Sequence, residues 1–101
     1  MTVIYGLKTC DACRAARRAR PDARFVDVRE EGLPPEVLEA ALAAQGDALV
    51  NRRSATWRAL PEAERARPAG DLVRAHPALM KRPLVAEADG RILVGREADR
   101  P

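Results

Sequence analysis

The sequence VIYGLKTCDAC, residues 3–13, is the most informative stretch of the chain, because a short apolar run in it is followed by a pair of cysteines. The run Val3–Tyr5 is typical of a buried β-strand, and Gly6 ends it. Cys10 and Cys13 follow where a helical pattern begins. We therefore expect a strand, a tight turn and a helix whose first residues carry both thiols.

The next residues extend this start into a βαβ unit. A helix is predicted over residues 11–19, with alanines on one side and arginines among its polar positions. Pro21 ends the helix, and Arg24–Val28 is predicted as a second strand. Because a helix and turns separate the two strands, we expect them to be parallel.

The middle of the chain is predicted to be helical. Pro35 opens a helix that Gly46 closes, since proline is tolerated in a first helical turn. Beyond it, Ser54 or Thr56 is expected to cap a short helix. One or two further helical turns are expected over residues 62–67.

The last part of the chain is predicted to hold a helix capped by Asp71 and then a hairpin. The apolar runs Pro83–Ala86 and Arg91–Val94 are joined by an Asp-Gly pair, which is a strong hairpin signal. The whole pattern predicts an α/β fold with a four-stranded mixed sheet and helices packed on it.

The composition excludes several classes of protein. The 101 residues suit one domain over residues 1–101. The net charge is +3 with both signs interspersed, which indicates a solvated surface and no nucleic-acid partner. The N-terminus lacks a signal-peptide pattern and the chain lacks a membrane-spanning run, so we expect a cytoplasmic protein without a membrane partner.

The pair Cys10 and Cys13 carries the candidate chemistry. The first N–H groups of a helix have no partner within the helix, and with the helix dipole they stabilise a thiolate. The ordinary thiol pKa of about 8.5 can fall to about 3.5–7.5 in such a place. Cys10, at the edge of the helix, is therefore the predicted nucleophile, and Cys13 is the candidate resolving thiol.

The two cysteines have two other interpretations. A structural zinc site needs about four nitrogen or sulfur ligands, whereas this chain offers two cysteines and His76, so no metal is expected. Inert, buried thiols are the other alternative. A C-x-x-C motif near a βαβ pattern favours redox chemistry.

Three stretches, in order along nearly the whole chain, resemble the arsenate reductase (ArsC) family, which includes Spx regulators and YffB-type thiol reductases. They are YGLKTC at 5–10, LVNRRSATWR at 49–58 and HPALMKRPLV at 76–85. The resemblance implies a thioredoxin-like α/β fold, a four-stranded mixed sheet flanked by helices, with an inserted helical region. It also implies that Pro83 is a cis proline beside the active cysteine.

The resemblance implies a mechanism as well. In the arsenate-reducing members a cysteine thiolate attacks arsenate, glutathione attacks the adduct, and glutaredoxin reduces the resulting mixed disulfide as arsenite is released. Cys10 would be the nucleophile, glutathione the thiol co-substrate and glutaredoxin a partner, with no bound cofactor. We expect a monomer. The substrate-binding residues implied in this way are Arg82, Arg96, Arg14, Arg53 and Lys8.

Some positions leave two alternatives open. A third oxyanion-binding arginine of the family aligns with Asn51, for which Arg52 or Arg53 could substitute, and asparagine is closer to the YffB-type pattern. Cys13 is more typical of Spx, while Arg96 departs from the YffB type. The alternatives are thus a redox-sensing regulator that binds RNA polymerase, or a thiol reductase without arsenate activity.

Overall fold

The computed structural model describes residues 1–95, and the chain divides into two units. The first, which we call the sheet unit, holds residues 1–32 together with the described residues from 82 onward. The second, the helical unit, holds residues 33–81. The helical unit is the inserted region that the resemblance implies.

The sheet unit is built on a central strand. Strand β1 (Val3–Gly6) pairs in parallel with β2 (Arg24–Asp27) and antiparallel with β3 (Leu84–Ala86). Strand β4 (Ile92–Val94) pairs antiparallel with β3, so the strand order is β2-β1-β3-β4. The predicted four-stranded mixed sheet is confirmed.

Helix α1 (Asp11–Ala19) connects β1 to β2 and has the predicted bounds. Its residue Ala16 is fully buried in a core cluster with Ile4 and Val85, and Phe25 packs against that cluster. An alanine at this position lets the helix approach the sheet closely. The start of α1 is thereby fixed beside the end of β1.

Two positions in the sheet unit differ from the prediction. Gly6 does not stop the first strand but forms its last residue, opposite Asp27 of β2. Val28, predicted as the end of the second strand, begins a short helix, α2 (Val28–Glu31). The cause is Asp27, whose carboxylate accepts the N–H groups of Arg29 and Glu30 and so caps a helix at that point.

The helical unit contains four α-helices and two short 3₁₀ turns. The helices are α3 (Pro35–Gln45), α4 (Ala55–Arg58), α5 (Glu62–Arg65) and α6 (Ala69–Ala75). The 3₁₀ turns are Gly46–Leu49 and Pro77–Leu79. The helix predicted from Pro35 to Gly46 is confirmed, and its Leu38 and Ala41 are buried.

Backbone hydrogen bonds join the two 3₁₀ turns of the helical unit. The Lys81 N–H donates to the Leu49 carbonyl at 2.8 Å, and the Asn51 N–H donates to the Leu79 carbonyl at 2.7 Å. Leu49 and Leu79 are both fully buried. These hydrogen bonds to buried leucines therefore fix the position of the segment that carries Asn51.

Two caps in this unit compare differently with the prediction. Ser54 caps α4, since its hydroxyl oxygen accepts the Trp57 N–H at 3.1 Å. Asp71 does not cap α6, which begins earlier, at Ala69 after Pro68. Pro68 occupies the N-cap position, and no side chain caps the helix there.

Trp57 is half-buried. The guanidinium carbons of Arg52 and Arg65 lie 5.2 Å and 5.7 Å from its ring centroid.

His76 ends α6, and its Nε2 lies 2.8 Å from Glu64 Oε2. Within residues 1–95, no helix has the length and apolar character needed to cross a membrane.

Candidate active site

Cys10 occupies the N-cap position of α1, immediately after the turn that follows β1. Its own N–H donates to the Leu7 carbonyl at 3.1 Å, which closes the turn. Its carbonyl accepts the Arg14 N–H at 3.0 Å, which starts the helix. The side chain is only partly covered, so a reagent can reach a sulfur that sits at the N-terminus of a helix.

The pKa of Cys10 is lowered from its ordinary value. Partial burial is the largest single influence and raises the pKa, but several hydrogen bonds together outweigh it. The Cys13 N–H, the Cys13 thiol and the Arg82 guanidinium all donate to the Cys10 sulfur, and the positive charge of Arg82 adds to their effect. Each of these donors stabilises the thiolate more than the thiol.

Cys13 behaves in the opposite way. Its side chain is fully buried, and burial raises the pKa of its thiol to about 12, which its contact with Cys10 supports. It lies directly over Gly6, where a Cβ atom would overlap its sulfur. Cys13 therefore stays protonated and serves Cys10 as a hydrogen-bond donor.

Arg82 also contacts the Cys10 sulfur, and it lies where the chain returns to the sheet unit after the helical unit. It precedes β3, and its peptide bond to the buried Pro83 is cis, as predicted. The Nε atom of Arg82 is buried, and the guanidinium donates to the Cys10 sulfur. The structure thus brings Cys10, Cys13 and Arg82 together in one site.

The other predicted substrate-binding residues lie as follows. The Lys8 ammonium is 2.9 Å from Glu30 Oε1. The Nε of Arg14 donates to the Lys8 carbonyl at 3.2 Å. Arg53 belongs to the helical unit, in the turn before α4, and is exposed. Arg96 falls outside the described residues.

The sequence analysis does not identify two residues that lie beside the site. Asp27 accepts the Lys8 N–H at 3.0 Å and so holds the turn before Cys10. Its signal was an acidic residue after a strand with Glu30 three positions later, a pattern resembling a capping box. Gly6 provides the space over Cys13, and a glycine within a strand often marks such close approach.

The arrangement supports nucleophilic thiol chemistry and offers little for a metal. Within residues 1–95, no group of three or more His, Cys, Asp and Glu side chains is placed to hold a metal ion. Both cysteines are free thiols. One is an accessible, stabilised thiolate and the other is a buried thiol.

We expect iodoacetamide to alkylate Cys10 and to spare Cys13 in the folded protein. Because the pKa of Cys10 is lowered, the rate should rise with pH and level off at a lower pH than for the same cysteine in the urea-unfolded chain. Mass spectrometry of the digested product identifies the labelled residue. Equal labelling of both cysteines, or a profile that matches the unfolded chain, would contradict the geometry of the site.

The similarity of this chain to known proteins shows its family. The chain matches the model of the ArsC family over residues 5–100. An uncharacterized protein of Haemophilus influenzae is 35% identical over 104 residues, which cover 94% of this chain and 90% of that protein.

Two solved structures extend the comparison to the fold. A YffB protein superposes with a TM-score of 0.84 at 34% identity, covering 98% of this chain and 94% of its own. An arsenate reductase (ArsC) related protein from Brucella melitensis has a TM-score of 0.69 at 37% identity, covering 93% of this chain and 85% of its own. The predicted thioredoxin-like fold is confirmed, and the chain belongs to the ArsC family.

Proposed function

We propose that this protein is a thiol oxidoreductase that reduces arsenate to arsenite, with Cys10 as nucleophile and with glutathione and glutaredoxin as electron donors. The observation that carries the proposal is the Arg82 guanidinium on the sulfur of a stabilised Cys10 thiolate. A permanent cation beside a nucleophile favours a substrate that is itself an oxyanion. The N–H groups at the start of α1 favour the same charge.

The first step is attack of the Cys10 thiolate on arsenic. A sulfur–arsenic bond forms, one arsenic–oxygen bond breaks, and the displaced oxygen leaves as water after protonation. Arsenic remains in the +5 state. Arg82 donates to the remaining oxygens, where the negative charge of the adduct lies.

The second step transfers two electrons. A glutathione thiolate attacks the Cys10 sulfur, the electron pair of the sulfur–arsenic bond stays on arsenic, and arsenite leaves in the +3 state. Glutaredoxin then takes the glutathione from the mixed disulfide and restores the Cys10 thiolate. We assign this step to an external thiol because only a thiolate attacks, and the burial of Cys13 raises the pKa of its thiol.

A second candidate function is reduction of glutathione mixed disulfides without arsenate activity. The similarity to the YffB protein over nearly the whole chain favours it. So does the placement of Lys8 and Arg14, whose side chains contact Glu30 and a backbone carbonyl. This reaction would use the same Cys10 thiolate with fewer cations for an oxyanion.

The variant Arg82→Ala distinguishes the two candidates. Arsenite formation from arsenate, measured with glutathione and glutaredoxin, should fall by about 30- to 100-fold in kcat/KM, since hydrogen bonds to a charged group are lost. Reduction of a glutathione mixed disulfide should fall by less than about tenfold, because only the pKa of Cys10 changes.

Arg91→Ala is the matched control, because Arg91 is an exposed arginine of the same unit that pairs with Asp89. It should retain both activities. Equal arsenate reduction in the Arg82→Ala variant would remove the proposed role of Arg82. Absence of arsenate reduction in the unaltered protein would remove arsenate as the substrate. A disulfide reductase activity that survives in that case would establish the second candidate.

A further inference from the structure

Lys8, in the turn before Cys10, is held at three points by three different elements. Its N–H donates to Asp27 Oδ2 at 3.0 Å, at the end of β2. Its carbonyl accepts from Arg14 Nε of α1 at 3.2 Å, and its ammonium contacts Glu30 of α2 at 2.9 Å. These three contacts fix the position of Lys8.

Asp27 is the buried member of this group. Its exposed fraction is 7%, and it is the single buried charged residue among those the structure describes. One carboxylate oxygen accepts the Lys8 N–H, and the other accepts the N–H groups of Arg29 and Glu30 at 2.9 Å and 3.4 Å. The bond from Lys8 is the largest cause of a lowered pKa, so Asp27 is ionised near neutral pH.

The turn transmits the position of Lys8 to Cys10. The Cys10 N–H bonds to the Leu7 carbonyl, which places Lys8 inside a closed turn of four residues. A shift of Lys8 therefore moves the cysteine relative to the Cys13 N–H and the Arg82 guanidinium. Hydrogen bonds lose strength rapidly as their geometry departs from the optimum.

We propose that Asp27 is a positioning residue for Cys10, which holds the Lys8 N–H and thereby keeps the Cys10 sulfur against its hydrogen-bond donors. This inference rests on the proposed role of Cys10 as the reactive thiolate. Lys8 and Arg14, predicted from the sequence to bind substrate, act in this arrangement on the turn.

The test separates the two tasks of Asp27. In Asp27→Ser the hydroxyl can still cap α2, because serine is a good N-cap, but it offers one oxygen and no longer reaches Lys8. In Asp27→Ala both contacts are lost. The pKa of Cys10 is measured for each folded variant from the pH dependence of iodoacetamide alkylation, and stability is measured by urea unfolding.

Both variants should raise the pKa of Cys10 to a similar extent, so that alkylation at pH 7 slows by roughly three- to tenfold. Stability should fall more in Asp27→Ala than in Asp27→Ser, because only alanine removes the cap. Asp22→Asn is the control: Asp22 is an exposed carboxylate of the same unit, and this variant should match the unaltered protein.

The pKa of Cys10 in the variant and in the unaltered protein tests two different claims. An unchanged pKa of Cys10 in the folded Asp27→Ser variant would overturn the inference and leave the proposed function intact. An ordinary pKa of Cys10 in the unaltered protein would instead overturn the proposed function. If Asp27→Ala fails to fold, Asp27→Ser alone decides the matter.

Discussion

Cys10→Ser is expected to reduce arsenite formation by at least about 10³-fold, the largest effect of any single substitution in this chain. A serine hydroxyl does not ionise near neutral pH, so the hydrogen bonds from Cys13 and Arg82 have no anion to stabilise. Reduction of glutathione mixed disulfides should disappear to the same degree. The measurement is the rate of arsenite release with glutathione and glutaredoxin at saturating concentrations.

The fold should survive this substitution. Residue 10 is the N-cap of α1, where serine is among the most favourable residues. The thermal midpoint of Cys10→Ser should therefore equal or exceed that of the unaltered protein. Turnover that persists in a folded Cys10→Ser protein would show that another group attacks the substrate.

Gly6→Ala is expected to destabilise the protein by about 2 kcal/mol, as is usual when a methyl group is forced into a packed interior. The added Cβ would overlap the Cys13 sulfur and approach the Cys13 Cβ to 3.2 Å. Because α1 is anchored on β1 in the core of the sheet unit, the clash cannot be relieved by a surface movement. The thermal midpoint should fall by about 10 °C.

A double variant identifies the cause of this loss. Combining Gly6→Ala with Cys13→Ala removes the sulfur that the new methyl group meets, so the two costs should be less than additive by about 1 kcal/mol. Gly70→Ala is the matched control, because Gly70 lies within helix α6 and its Cβ would meet the flexible end of Leu42 at 3.1 Å. That change should be neutral or stabilising, as alanine favours helices. Additive costs in the double variant would refute the contact as the cause.

The sequence predicts the sheet unit well where two signals coincide. The helix over 11–19 has its predicted bounds because an apolar face, an N-terminal polar turn and a following proline all agree. The hairpin also forms as predicted, because two apolar runs and the Asp-Gly pair between them agree. Gly90 has a φ of 94°. The β-propensity of Val28 favours a strand, whereas the cap provided by Asp27 decides its conformation.

Some residues of the candidate site can be predicted from the sequence and others cannot. Cys10 and Arg82 could be predicted because their positions follow from backbone topology: one begins a helix and the other precedes a strand of the same sheet. The placement of Lys8 and Arg14 could not, since a long cationic side chain has many partners within reach. The contact of Lys8 with Glu30 arises only because α2 follows β2 directly, and the sequence pattern predicts no helix there.

The lone tryptophan, Trp57, lies in the helical unit, while both cysteines lie in the sheet unit. Each half of the chain therefore carries its own natural reporter. During denaturant titration, indole fluorescence follows residues 33–81, whereas labelling of Cys13 follows the opening of the layer between α1 and β1. Coincident transitions would mean that the protein unfolds in one cooperative transition. Separate transitions would show which unit unfolds at the lower denaturant concentration.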